Sequence, residues 1–170
     1  MLWIGTGGGG LDRLDPETGK FAHYRHDPQN SKSLSNNAIL TLYVDYTGTL
    51  WIGTRNGLIR LDSVTGAFTR FAVGNNVVRA IHRDLQDRLW VGTQTGLYSQ
   101  DLNTGDLAVF PEGPSEMDDL SNNSILSIME DPQGVLWLGT FGGGLNSLDP
   151  RTGHVVHYRE AEGLPSGIVY

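Results

Sequence analysis

The sequence predicts an all-β fold built from repeated antiparallel sheets, and two observations carry that prediction. The first is a recurring pentapeptide. Leu-Trp-Ile-Gly-Thr stands at Leu2–Thr6 and Leu50–Thr54, and returns as Leu89-Trp90-Val91-Gly92-Thr93 and Leu136-Trp137-Leu138-Gly139-Thr140. These copies hold every tryptophan of the chain, spaced 48, 39 and 47 residues apart. Self-similarity at about 40–50 residues marks a repeat architecture. The second is the pattern after each copy: short runs of period-two alternation, broken by Gly and Asn, which read as strands.

In the second unit Leu50–Thr54 is one strand, Gly57–Asp62 the next and Ala67–Phe71 the third, and Val77–Asp84 opens the unit after it. Each period then holds four strands, here lettered a to d, with the tryptophan on b. A four-stranded sheet cannot bury both faces by itself, whereas sheets stacked about an axis bury one another. The expectation is a β-propeller fragment of four-stranded antiparallel blades, with about four repeat units, three complete blades and a partial one. Residues 1–170 form a single segment, with units at 2–49, 50–88, 89–135 and 136–170. Trp3, Trp51, Trp90 and Trp137, identical in every copy, are expected in the core between blades rather than against a ligand. Gly5, Gly53, Gly92 and Gly139 would let the neighbouring sheet approach closely.

The connections repeat as well. Between strands c and d lie Asp15–Gly19, Asp62–Gly66, Asp101–Gly105 and Asp149–Gly153. Asp can bond the backbone ahead of it, and the closing Gly can take positive φ. Between a and b lie hairpin turns that begin at Asp45, Asp84 and Asp131. A calcium site at the c–d turns is disfavoured, because each offers mainly one carboxylate where calcium needs several oxygen ligands at alternate spacing.

Composition narrows the function classes. Nineteen acidic against 12 basic residues give a net charge of −7. That disfavours nucleic-acid partners, which select a basic face, and docking on anionic lipid. The absence of cysteine removes disulfide and thiolate chemistry. No apolar run reaches the roughly 18 residues of a membrane span, so no direct membrane insertion is expected, and no signal peptide is read at Met1.

Leu-Trp-Ile-Gly-Thr, then Gly-Gly-Leu, then Leu-Asp-x-x-Thr-Gly, then Leu-Ser-Asn-Asn before a strand, together resemble the two-component regulator propeller repeat. Leu2–Thr49 and Leu136–Tyr158 are its best copies, and Leu120-Ser121-Asn122-Asn123 nearly duplicates Leu34-Ser35-Asn36-Asn37. The resemblance covers essentially the whole chain. It implies the extracytoplasmic input region of membrane-spanning histidine kinases, hybrid kinases or diguanylate cyclases, some of which sense oligosaccharides. It therefore implies a location on the periplasmic or extracellular side of a bacterial membrane receptor. No kinase, cyclase or transmembrane part is recognisable among these residues.

The first unit begins at strand b, and Gly167–Tyr170 reads as the first half of another strand a. That suggests an excerpt of a longer propeller. A closed four-bladed ring, a ring shared by two copies and an open arc are the alternatives, and the shortness of the last strand favours the open arc. Exposed end blades would then allow self-association.

Ligand contacts are expected where otherwise identical repeats differ. In an antiparallel meander the loops leading into a and the b–c turns share one face, while the a–b and c–d turns share the other. On the first face Arg55, Gln94 and Phe141 occupy one repeat position with three different side chains, and Asn56 follows Arg55. The loops into strand a carry Asn37, Asn76 and Asn123, for which turn formation is the plainer role. Along strand a, Arg79 aligns with Leu40 and Leu126, and His82 with Tyr43 and Met129. A charge in an otherwise apolar slot needs a partner or water. Amides, a guanidinium and a ring suit a small polar ligand such as an oligosaccharide, since amides donate and accept while rings stack on sugar faces.

No catalytic motif is apparent. There is no metal-binding His spacing and no nucleophile elbow, and Gly7–Gly10 is not followed by a helix that could cradle phosphate. Glu112, Glu116, Asp118 and Asp119 could supply a carboxylate pair, but a solvated loop is the simpler reading. The expectation is a non-catalytic ligand-sensing segment without cofactor or metal. A protein–protein interaction or oligomerisation scaffold is the alternative, and a propeller lyase or hydrolase comes third.

Overall fold

The computed structural model describes all residues but 63, 72, 74, 75 and 111–118. It is all-β. Among the described residues the only helix is a short 3₁₀ turn at Glu160–Glu162. Four antiparallel meanders account for the strands. The first has three strands, β1 (Leu2–Gly5), β2 (Leu11–Leu14) and β3 (Phe21–Tyr24). The second has four, β4 (Ile39–Val44), β5 (Leu50–Thr54), β6 (Gly57–Leu61) and β7 (Phe68–Phe71). The third is β8 (Val78–Arg83), β9 (Arg88–Thr93), β10 (Leu97–Asp101) and β11 (Leu107–Phe110). The fourth is β12 (Ile125–Glu130), β13 (Leu136–Thr140), β14 (Leu145–Leu148) and β15 (Val155–Tyr158). These are propeller blades, three complete and one lacking its first strand.

The chain divides into two compact units, Met1–Val78 and Arg79–Tyr170. In the first, alternate residues of neighbouring sheets meet: Leu11, Leu34, Ile39, Leu50, Ile52, Ile59, Leu61 and Phe68 form one cluster. Trp3, Tyr24 and Leu42 pack against it, and Tyr24 meets Phe68 edge-on at 5.6 Å. In the second, Trp90, Leu97, Leu120, Ile125, Leu136, Leu138, Leu148 and Val155 do the same. Each such fully buried aliphatic side chain stabilises the fold by about 1.5–3 kcal/mol.

The tryptophans have a second task that the repeat pattern alone does not state. The indole N–H of Trp51 donates to Asp45 at 2.9 Å, that of Trp90 to Asp84 at 2.8 Å and that of Trp137 to Asp131 at 3.0 Å. The other oxygen of each aspartate takes backbone N–H groups of its own a–b turn. One carboxylate thus closes the hairpin and fixes the indole. Trp51 and Trp90 are buried, whereas Trp137 is only half-buried, beside Tyr158 at 5.6 Å. Trp3 is likewise only partly buried, packed against the core of the first unit.

Gly92 shows the close approach expected after the tryptophan. A Cβ there would lie 2.7 Å from Cγ2 of Ile125, on the first strand of the next blade. The register of β4 on β5 and of β12 on β13 slips between Ile39 and Thr41 and between Ile125 and Ser127, so Leu40 and Leu126 sit in bulges. Bulges re-aim a side chain relative to its strand.

Candidate functional site

Three of the divergent residues come together in the second unit. Arg79 on β8, Gln94 after β9 and Phe141 after β13 line one cleft of 250 Å³ with Ser124, Leu126 and Tyr170. Local hydrogen bonding fixes each position. Thr93 ends β9 and folds back on its own turn: its hydroxyl donates to Gly96 O at 2.8 Å and accepts Thr95 N–H at 3.1 Å. Gln94 is left exposed at the tip of that turn. Thr140 repeats the device, donating to Gly144 O at 2.8 Å and accepting Gly143 N–H at 3.1 Å. Phe141 N–H donates to Ser124 O at 3.0 Å, and its ring is 55% exposed.

Tyr170 is brought in by the last residues of the chain. Val169 N–H donates to Thr140 O at 3.1 Å, Gly144 N–H donates to Gly167 O at 2.8 Å, and Ile168 bridges Phe141. In the first unit β4 docks on the preceding sheet by the same bonds, Ile39 N–H to Thr6 O and Gly10 N–H to Asn37 O. The final residues thus lie where a further strand a belongs. Ser124, Leu126 and Tyr170 were not singled out from the sequence. The bulge at Leu126 has no sequence mark, and Tyr170 becomes a cleft residue only through this docking.

The remaining candidates have other surroundings. His82 Nε2 lies 2.9 Å from Glu130 Oε2, a link between the first strands of two blades. Asn37 accepts the His26 backbone N–H at 2.7 Å, and Asn76 donates to Val73 O at 2.8 Å. Asn56 donates its backbone N–H to Thr54 Oγ1 at 2.9 Å and its side-chain amide to Ser35 O at 3.5 Å. These amides brace loops, because a loop crossing between sheets must find partners for its own polar groups. Arg55 and Asn123 are exposed. Of the acidic loop, residues 112, 116 and 118 lie outside the described residues, while Asp119 gives its carbonyl to His157 Nε2 at 2.8 Å.

A separate surface cluster joins Asp12, His23 and Arg25: Asp12 Oδ1 is 2.9 Å from His23 Nδ1 and 3.0 Å from Arg25 Nη1. The His23 hydrogen bond first, then Arg25, holds the Asp12 carboxyl below its ordinary range. No group of three or more residues suited to hold a metal occurs among the described residues.

Comparison with known proteins agrees with this architecture. Residues 33–56 and 119–142 match the family model described as two component regulator propeller. A histidine kinase, P4, of Formosa agariphila is 36% identical over 58 residues, which is 34% of this chain and 4% of that protein. Two similar solved structures are extracellular domains from B. thetaiotaomicron, of proteins described as the hybrid two component systems BT3049 and BT4673. The first has TM-score 0.76 and 25% identity over 91% of this chain and 21% of that chain. The second has TM-score 0.77 and 26% identity over 94% of this chain and 24% of that chain. The chain thus spans less than a quarter of the length of each of these three relatives.

Proposed function

We propose, from a chain that carries two-component regulator propeller repeats, that it is a ligand-sensing segment of a two-component-type receptor. Its place is the periplasmic or extracellular side of a bacterial membrane, and it binds rather than converts its ligand. Similarity to extracellular domains of two-component systems supports the setting. The observation that carries ligand binding is the cleft of Arg79, Gln94 and Phe141. These are positions where conserved scaffolding would predict likeness between repeats and the sequence gives difference. Recognition commonly sits on such variable loops held by a rigid frame.

An oligosaccharide, or another polar ligand of similar size, suits the mixture of amide, guanidinium and ring. Isothermal titration of the chain with a broad glycan panel tests the reading. Saturable heat with unchanged ligand on recovery is expected, and Phe141→Ala should weaken it about tenfold, the loss expected of one ring contact. A panel without heat, or a glycan recovered as product, counts against it.

A further inference from the structure

We infer that the cleft of Arg79, Gln94, Phe141 and Tyr170 takes a ring that carries a carboxylate, with Arg79 as its counter-ion. This rests on the ligand-sensing reading and makes it narrower. The first support is the state of the arginines. From Arg79 to Tyr170 the sequence has five arginines, no lysine and thirteen acidic residues. Arg83 pairs with Asp87 at 2.8 Å, and Arg151 with Asp149 at 3.0 Å. Arg88 lies over the Trp90 ring at 5.5 Å, and Arg159 reaches His157 at 3.5 Å. Arg79 alone among them has no hydrogen bond, ion pair or ring contact among the described residues.

The second support is the wall around it. None of the six residues lining the cleft is acidic, although the unit is strongly so. An unspent guanidinium in a concavity lined by no acidic side chain makes a local positive field within an acidic surround, and clefts of one sign concentrate ligands of the other. The aligned positions Leu40 and Leu126 show that the strand has no structural need of a cation there.

The third support is shape. Phe141 is 55% exposed, which leaves an aromatic face open in the same cleft as the one charge. At 250 Å³ the cleft falls just below the about 300–1,000 Å³ of common ligand pockets, so it suits one ring-sized unit. Guanidinium pairs carboxylate through two parallel N–H bonds, and the ring is left to the aromatic faces. One cation favours a singly charged carboxylate over phosphate. The nearby Gly142 and Gly144 N–H groups are already bonded to Gly167 O and that of Gly143 to Thr140 Oγ1, so no backbone nest completes a phosphate site.

The test is titration of the intact chain with glucuronate, glucose, benzoate and inorganic phosphate, at low and high salt. Glucuronate or benzoate should bind more tightly than glucose, and their difference tells a sugar acid from a planar one. Arg79→Gln should weaken the acid about ten- to hundredfold and Arg79→Lys less, in keeping with hydrogen bonds to charged groups. Salt should weaken the acid but not glucose. Phe141→Ala should weaken both. Arg79 is exposed, so thermal unfolding should show the variants folded. Equal affinity for glucose and glucuronate overturns the inference and leaves ligand sensing intact, as does an Arg79→Gln variant that binds glucuronate normally. Phosphate bound more tightly than either carboxylate overturns the carboxylate assignment. No heat with any acid or any member of the glycan panel sinks both readings together.

Discussion

Asp84 gives one oxygen to the Trp90 indole and the other to the backbone N–H groups of Gln86 and Arg88, and it is 1% exposed. Removing it would orphan the buried Trp90 indole N–H and two part-buried backbone N–H groups of the turn. Asp84→Ala should therefore lower stability by about 2–4 kcal/mol, since each orphaned buried donor costs about 1–3 kcal/mol and part of that is recovered by relaxation. Urea denaturation measures it, and a loss under 1 kcal/mol would show that the bond is incidental. Glycines give a second residue-level contrast. At Gly92 a methyl meets Ile125 Cγ2 at 2.7 Å and Ala80 Cβ at 3.1 Å, so Gly92→Ala must push two sheets apart. Overpacking of that kind costs about 1–3 kcal/mol. Gly105 has φ 82° and open space around it. Gly105→Ala should thus cost only the left-handed backbone penalty, about 1–2 kcal/mol, with no change in ligand binding. Paired melts of the two variants, with and without ligand, separate a seam effect from a turn effect.

At the scale of the element, the c–d turns share one electrostatic design. Asp62 and Asp101 are held below the usual carboxyl range chiefly by backbone N–H groups two and three residues on. Asp15 is lowered first by the Thr18 hydroxyl and Asp149 first by Arg151. Asp131, in an a–b turn, is lowered first by the Trp137 indole. A carboxyl whose folded value is depressed adds stability in full above its unfolded value of about 3.9 and loses it as pH falls through the lower folded value. The urea midpoint should therefore hold from pH 7 to pH 5 and fall below about pH 4. Replacing Asp62, Asp101 and Asp149 with Asn, which still forms such turns, should flatten that fall. An unchanged slope would place the acid sensitivity elsewhere. These turns were readable because Asp-x-x-Thr-Gly recurs in sequence. So were the strands, whose alternation survives every substitution among the copies. The indole–carboxylate bond left a readable trace too, a constant six-residue step from aspartate to tryptophan, though turn chemistry alone accounts for the aspartate. The bulges at Leu40 and Leu126 and the 3₁₀ turn at Glu160–Glu162 left none. A bulge depends on how a strand meets its partner, and the 3₁₀ turn is held by the Glu162 side chain reaching back to Arg159 N–H at 2.8 Å. In the cleft, divergence between repeats pointed to Arg79, Gln94 and Phe141. It could not show which of the divergent residues lie together, nor that Asn37 and Asn76 spend their amides on loops.

For the molecule as a whole, sensing requires that a small ligand alter more than its own pocket. The second unit has the means, because its cleft draws on both sheets. Arg79 and Gln94 come from the β8–β11 sheet, and Ser124, Leu126 and Phe141 from the β12–β15 sheet and its leading loop. A ligand that touches both adds its binding energy to the same seam that Trp90, Ile125 and Leu138 fill. Binding to the folded state alone stabilises by RT ln(1 + [L]/Kd), about 2.7 kcal/mol at a hundredfold excess over Kd. Amide hydrogen exchange then reads where that energy goes. If the seam carries the signal, saturating ligand should slow exchange in β8 and β9 and equally in β12 and β13, with a raised melting temperature. Phe141→Ala, binding about tenfold more weakly, should roughly halve the stabilisation at the same ligand concentration. Protection confined to the Phe141 turn would mean that the ligand rests on one blade, and a blade held alone has no neighbour against which to register its presence.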